Sequence, residues 1–381
     1  MNDTTKSGAA SFDEGAVTGR PCTIVAGASG VVGLAAARHL ASNAGSRVIA
    51  LSRRRPAYSG DAIHVPLDLA DGAACEAFAR EQRDATHLVY AAVREAPGLV
   101  SGWSDTALIA ANGAMFANLL EALCRYAPAL GHVTLLQGTK AYGVHVANDV
   151  PIPCRESAPR HPHANFYFVQ EDALRASAAE HGFAWTILRP QIVFGDALGS
   201  NMNPIAAIGA FAALLREAGE PLHYPGGARH VSEATDAELL AEAITWAATS
   251  EAARNQVFNV ANGDVFVWRD LWPAIADCMG MAMGDDHTMS LADFFADRHD
   301  AWTALVTRHG LVAPQALDAF LGQSAIYADM LLGHGRRGPA LPQLVSTIKI
   351  RQAGFGACVD TELVVCRLLR TLQERRLLPV G

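Results

Sequence analysis

Apolar positions between residues 22 and 262 fall into two alternating patterns. Short continuous runs, "CTIVAGA", "RVIAL", "AIHVPLDL", "THLVYAA", "HVTLLQG" and "WTILRP", read as buried strands. Between them, "VVGLAAARHLASN" and the stretches near 105 to 126 and 166 to 181 carry helical spacing. Strand and helix taking turns in this way predict a parallel, doubly wound α/β sheet. Past Pro190 the rhythm breaks at "GDALGSNMNPIAA" and "YPGGARH"; a helix around 235 to 249 and the strand "QVFNVA" then return to the sheet. From about 263 the chain reads as helices. The pattern therefore predicts a nucleotide-binding core from 21–190 plus about 229–262, and a smaller, mostly helical substrate lobe from about 191–228 plus 263–381. Residues 1–20 are small and polar without an apolar stretch, and are expected to be a disordered tail rather than a secretion signal.

Composition narrows the classes. A net charge of −8 leaves no basic surplus to neutralise phosphates, which argues against a nucleic-acid binder. Seven scattered cysteines form no C-x-x-C and no Cys/His ligand spacing, so neither a disulfide framework nor a metal site is expected, and a reducing cytoplasm is the simpler setting. No run of 18 apolar residues occurs, so no membrane span is expected.

The first strand runs into "VAGASGVVG", with Gly27, Gly30 and Gly33 between strand and helix. Glycines there permit a tight turn and let a pyrophosphate approach the N–H groups at the helix start, the arrangement of a Rossmann-type dinucleotide site. The end of the second strand then selects the cofactor. An acid would accept from the ribose hydroxyl of NAD, whereas "LSRRRP" offers Ser52, Arg53 and Arg54, whose guanidiniums suit the 2′-phosphate of NADP(H). The third strand ends at Asp68 and Leu69, an acceptor for the adenine amino group and an apolar contact for its ring; an acid at that place also serves as a helix cap. Ser29, Val31, Val32, Ala91, Ala92, Gln137, Pro190 and Ile192, at the strand ends and at the start of the first helix, with Lys140 and Tyr167, complete the expected cofactor site.

A short-chain dehydrogenase normally carries a tyrosine with a lysine four residues on. In "NFYFVQEDAL" the residue four after Tyr167 is Glu171, which with Asp172 is expected in the first turns of its helix, favoured by the dipole. The three lysines are Lys6, Lys140 and Lys349, and no Y-x-x-x-K exists. Lys140 follows the strand "HVTLLQGT", and strand carboxyl ends are where doubly wound sheets bind ligands. From there it would reach Tyr167 from a different element.

"LLQGTKAYGVH", "NFYFVQEDAL", "WTILRPQIVFG", "FNVANGDVFVW" and the C-terminal "RQAGFGACVDTELV" together resemble the progesterone 5β-reductase and iridoid synthase-like (PRISE) family of atypical extended short-chain dehydrogenases, over roughly residues 22 to 379. The resemblance implies NADPH-dependent reduction of a C=C bond conjugated with a carbonyl. It assigns catalysis to Tyr167, donating to the enolate oxygen, and to Lys140, lowering the phenol's pKa; Ile192 would approach the nicotinamide through its backbone. Phe168 stands where plant members carry a second tyrosine, and Ala92 and Val93 stand where they carry a more aromatic run. Of the other tyrosines, Tyr142 is the strongest alternative phenol. Tyr142, Phe168, Met202 and Trp302 are expected as walls of a pocket for a small apolar carbonyl compound, and a homodimer is the expected assembly. Two further readings stay open: an NADP-dependent carbonyl/alcohol oxidoreductase or epimerase on the same fold, and a non-catalytic NADP-sensing protein.

Overall fold

The computed structural model describes residues 20–381 apart from 44, 57–58, 96–100, 148, 337 and 339–340, so all but Arg20 of the expected tail lies outside the described residues. Strands β1 (Cys22–Ala26), β2 (Arg47–Ser52), β3 (Ile63–Pro66), β4 (Ala85–Tyr90), β5 (His132–Leu136) and β6 (Ala184–Pro190) belong to the main sheet. After the short strands β7 (Ile192–Phe194), β8 (Leu222–Tyr224) and β9 (Ala234–Asp236), strand β10 (Gln256–Val260) completes it. The order is β10-β6-β5-β4-β1-β2-β3 and every pairing is parallel. β1, β5 and β6 are buried at every position, so apolar residues dominate them, with Thr23, His132, Thr134, Thr186 and Arg189 as the buried polar positions. β3 is shorter than its apolar run suggests: it is an edge strand with Ile63 exposed, and Pro66, lacking an N–H, ends it.

Helices α1 (Val31–Ala41) and α6 (Ala237–Thr249) cover one face of the sheet, while α2 (Gly72–Glu81), α3 (Thr106–Tyr126) and α4 (Phe166–His181) cover the other. Among the described residues α3 is the one helix long and apolar enough to cross a membrane, but its Phe116, Leu119, Leu120 and Leu123 are buried in the core between sheet, α2 and α4. Its apolarity is accounted for by packing.

The lobe has a separate core built on α5 (Ile205–Glu217), buried along nearly its whole length, with α7 (Trp268–Cys278) and the helix Thr361–Glu374 around it. The lobe, expected to be mostly helical, also contains a strand past residue 263: β11 (Met283–Asp286) pairs in parallel with β8. Ile350 and Phe355, from the C-terminal stretch, pack back against α6 and β10 rather than into the lobe. The chain enters the lobe after β6 and again after β10, and the cleft opens along the carboxyl ends of the strands.

Candidate active site

A cleft of about 510 Å³ runs along the carboxyl ends of the strands, within the range of small-molecule sites. Its floor begins at the β1–α1 turn. Gly27 has φ +87, and a Cβ there would lie 2.6 Å from the Ala92 nitrogen, so only glycine fits. Gly30 caps α1 without a side-chain hydrogen bond, which leaves the helix start to be satisfied by a ligand or water. Gly33 does not line the cleft: a Cβ on it would stand 2.2 Å from the Gly27 carbonyl oxygen, so its smallness lets α1 close onto the turn. Ser29, Val31 and Val32 line the cleft beside Gly27 and Gly30. This tight glycine turn, with the start of α1 left without a side-chain cap, fits a dinucleotide pyrophosphate.

Along the same cleft lie Ser52, Arg53, Arg54, Asp68, Leu69, Ala91, Ala92, Gln137, Pro190 and Ile192. Arg53 and Arg54 are exposed and make no ion pair among the described residues, so their guanidiniums are uncommitted. Ser52 is turned inward, its Oγ donating to the Arg54 carbonyl at 2.6 Å. Asp68 is not the cap of α2, since Asp71 accepts from the Ala74 N–H; Asp68 accepts from Ala70 at 3.1 Å instead. The Ile192 N–H is taken by Gln191 Oε1 at 3.1 Å, which leaves its side chain rather than this donor for the cleft.

Lys140 and Tyr167 face the cleft from two elements, the 3₁₀ turn Thr139–Tyr142 after β5 and the first turn of α4. Asn165 ties them. Its side chain caps α4 by accepting from the Tyr167 N–H at 2.9 Å and donates to the Lys140 carbonyl at 3.0 Å. The Tyr167 carbonyl accepts from Gln137 Nε2 at 3.0 Å, Gln137 Oε1 accepts from Arg189 Nε at 2.8 Å, and Arg189 pairs with Glu171 at 3.1 Å. Glu171 is thus buried beneath the helix, correcting the expectation that it serves the helix dipole. Arg175 and Arg160 reach its other oxygen.

The Lys140 ammonium sits 3.7 Å from the ring centre of Trp103 and donates to Met202 Sδ at 3.3 Å. Burial lowers its pKa to about 8, against the charge of Glu95. Burial pushes the Tyr167 phenol above its ordinary range, Glu95 pushes further, and Arg189 pulls back. No hydrogen bond joins Lys140 to the Tyr167 hydroxyl among the described residues, and burial outweighs any lowering of the phenol's pKa. The phenol is held as a neutral donor.

Three of the four expected pocket walls lie elsewhere. Tyr142 is buried below the cleft with its hydroxyl donating to Asn259 at 2.6 Å, so it is no rival phenol. Phe168 packs on His163 and Arg160, on the outward side of α4. Trp302 is fully buried against Phe320 in the lobe core, its indole N–H donating to the Pro314 carbonyl. Met202 does line the cleft. The walls that sequence reasoning missed are Trp103, Phe166, Glu95, Asn201 and Tyr327. Glu95 follows β4, so the strand-end rule applied to every strand would have flagged it; Trp103 and Tyr327 carry no local signal. Among the described residues no cluster of three or more His, Cys, Asp or Glu is placed to hold a metal ion.

Parallel sheet order, glycine cradle and a strand-end cleft define a Rossmann-type protein of the short-chain dehydrogenase kind. Residues 100–323 match the PRISE-like Rossmann-fold domain, and the chain belongs to that family. It is 33% identical over 310 residues to an (S)-8-oxocitronellyl enol synthase of Nepeta racemosa, covering 76% of each chain. It is 30% identical over 339 residues to the 3-oxo-Delta(4,5)-steroid 5-beta-reductase of Arabidopsis thaliana, covering 84% of this chain and 85% of that one. Among solved structures, the UDP-glucose 4-epimerase of Thermus thermophilus, in complex with NAD, superposes with a TM-score of 0.61 at 19% identity, covering 92% of this chain and 99% of that one. That likeness is one of fold.

Proposed function

We propose that this chain reduces the C=C bond of a small enone or enal with NADPH. The observation that carries the reading is the pairing of Tyr167 with Lys140 from separate elements, tied by Asn165, in a cleft walled by Trp103, Phe166 and Met202. The kinship with an enol synthase and a steroid 5-beta-reductase supports it. Gly27, Ser29, Gly30, Val31 and Val32 would hold the pyrophosphate, and Arg53 and Arg54 the 2′-phosphate, in a region where no carboxylate at the β2 end would repel it.

When bound, the reduced nicotinamide supplies the hydride taken by the substrate's β-carbon. Tyr167, neutral at working pH, donates a hydrogen bond to the carbonyl oxygen as it becomes an enolate. Lys140 keeps a positive charge in a poorly solvated part of the cleft, where it favours that anion. Asn165, Gln137 and Arg189 fix the backbone from which the phenol projects. Trp103, Phe166 and Met202 exclude water from the reacting atoms.

The test is a panel assay of NADPH oxidation by the purified protein with 2-cyclohexen-1-one, 2-methyl-2-cyclohexen-1-one and α,β-unsaturated aldehydes, set against saturated ketones and sugar nucleotides. Turnover with the unsaturated compounds, giving the saturated carbonyl product, is expected. Turnover confined to saturated ketones or sugar nucleotides overturns the reading. Replacing Arg53 and Arg54 by alanine should erase most of a preference for NADPH over NADH, at about 1.5–3 kcal/mol per charged hydrogen bond. Equal affinities in the unmodified protein refute the cofactor assignment.

A further inference from the structure

Hydride addition leaves one atom unassigned, the proton that the α-carbon must take. Tyr167 is engaged at the oxygen, and Lys140 rests on Trp103 and Met202. Two other groups that carry an acidic proton lie in the cleft with Lys140 and Tyr167: Tyr327, whose phenol burial pushes above its ordinary range, and Glu95, the stronger acid. The loop after β4 is pinned by the buried side chain of Asn112, which accepts from the Arg94 N–H at 2.8 Å and donates to the Arg94 carbonyl at 2.9 Å. The next residue, Glu95, lines the cleft together with Lys140, Tyr167 and Tyr327. Asn201, from the lobe side, donates to Glu95 Oε2 at 2.7 Å and accepts from the Gln323 N–H at 3.3 Å. Core and lobe therefore hold this carboxyl between them. Among the described residues Glu95, which lines the cleft, forms no other hydrogen bond and no ion pair.

Resting on the reading above, we propose that Glu95 is the general acid that protonates the α-carbon. The β-carbon gains its C–H bond from the hydride, and the π electrons move to give the enolate. The enolate's electron pair then forms the new Cα–H bond with the Glu95 proton, the O–H bond breaks, and a carboxylate remains. Water returns the proton to Glu95 after product leaves. An ionised Glu95 would repel the enolate, so the acid form is the one compatible with the step. Burial favours that form, working against the Asn201 hydrogen bond and the Lys140 charge, and those two then receive the carboxylate once it forms. The ionisable groups facing it are Lys140 from the turn after β5, Tyr167 from α4 and Tyr327 from the helix Ser324–Leu331.

The probe is 2-methyl-2-cyclohexen-1-one, whose reduction creates a stereocentre at the protonated carbon, read as the enantiomer ratio of 2-methylcyclohexanone at short times. The unmodified protein should give one enantiomer in strong excess. Glu95→Gln, which keeps the acceptor for Asn201, should lower kcat/KM about 100-fold, the lower end for loss of a general acid, and bring the product to an equal mixture as water protonates either face. Glu95→Asp and Asn201→Ala, which displace the acid without removing it, should reduce the excess partially, and they decide the matter if Glu95→Gln does not fold. A racemic product from the unmodified protein, or an unchanged ratio in these variants, overturns the Glu95 assignment while the enone reading stands. Absence of turnover with any unsaturated carbonyl compound is the separate result that overturns the reading itself.

Discussion

Glu171 occupies the place where ordinary relatives carry their lysine, and replacing it by glutamine isolates what it does. Its side chain and that of Arg189 are 6% and 7% exposed, and they meet at 3.1 Å. Removing the charge strands the Arg189 guanidinium in the interior, which costs about 3–5 kcal/mol for a buried pair. The contacts with Arg175 and Arg160 are half exposed and add at most about 1 kcal/mol each. For a chain of this length about 1 kcal/mol corresponds to little more than 1 °C, so the melting temperature should fall by about 4–9 °C. Burial pushes the Glu171 carboxyl up, but the three arginines more than reverse this and hold it below the ordinary range of a glutamate. A depressed carboxylate stabilises the fold above its unfolded pKa, and that stabilisation is lost as pH falls through the folded value. Glu171→Gln should therefore be destabilised at neutral pH and converge on the unmodified protein in acid. The assay is thermal unfolding by circular dichroism between pH 3 and 8, roughly spanning the carboxylate range. The double variant Glu171→Leu, Arg189→Met, which strands no charge, should recover most of the stability while still turning over slowly, because Gln137 has lost the partner that orients it toward Tyr167. A double variant no more stable than Glu171→Gln, or a single variant with an unchanged melting curve, refutes the argument.

Tyr167→Phe should lower kcat about 100- to 1000-fold, the usual cost of one oxyanion donor, with NADPH affinity nearly unchanged; comparable losses in both would mean that the phenol holds cofactor rather than the enolate. Lys140, with its pKa lowered to about 8 by burial, should make kcat/KM fall as pH rises through that value, because the charged form is the one that favours the enolate. Lys140→Arg, which stays charged, should carry the active range to higher pH, and an unshifted profile would assign the limb to another group.

How much of this was legible follows from where each signal resides. The parallel sheet was readable because β1, β5 and β6 are buried at all positions, so apolar residues dominate them and a polar/apolar alternation is absent. Tyr167 and Lys140 stood out for local reasons: a tyrosine that lacks the usual lysine four residues on, and a rare lysine at a strand end. The Glu171–Arg189 pair was hidden, because it joins a helix to a strand 18 residues on, and nothing local marks either partner as buried. Trp302 misled for the reverse reason, since an aromatic on a helix has the same spacing whether it faces a lobe core or a cleft. Glu95 and Trp103, from the connection between β4 and α3, meet Tyr327 from the lobe, more than 200 residues on, and only the tertiary fold brings them to one cleft.

Relocation of the lysine is a change in what the position after the tyrosine supports. With Glu171 turned under α4, the helix is anchored to β6 through Arg189 and to β5 through Gln137, and the ammonium arrives instead from the turn that Asn165 ties to the same helix. Returning the lysine to its common place, as Glu171→Lys in the Lys140→Ala background, should for this reason restore nothing. The new ammonium would enter a site already holding the Arg189 guanidinium at 7% exposure, with Arg175 and Arg160 beside it and no carboxylate left among its present partners. Like charges at such separations repel, and burial lowers a lysine's pKa further, so the side chain either loses its proton or turns outward, away from the phenol. The expected result is NADPH oxidation with an unsaturated ketone no faster than in Lys140→Ala alone, together with a lower melting temperature. Recovery of even a tenth of the lost activity would show that position 171 can present a cation to Tyr167, and that the buried pair does not govern where the lysine sits.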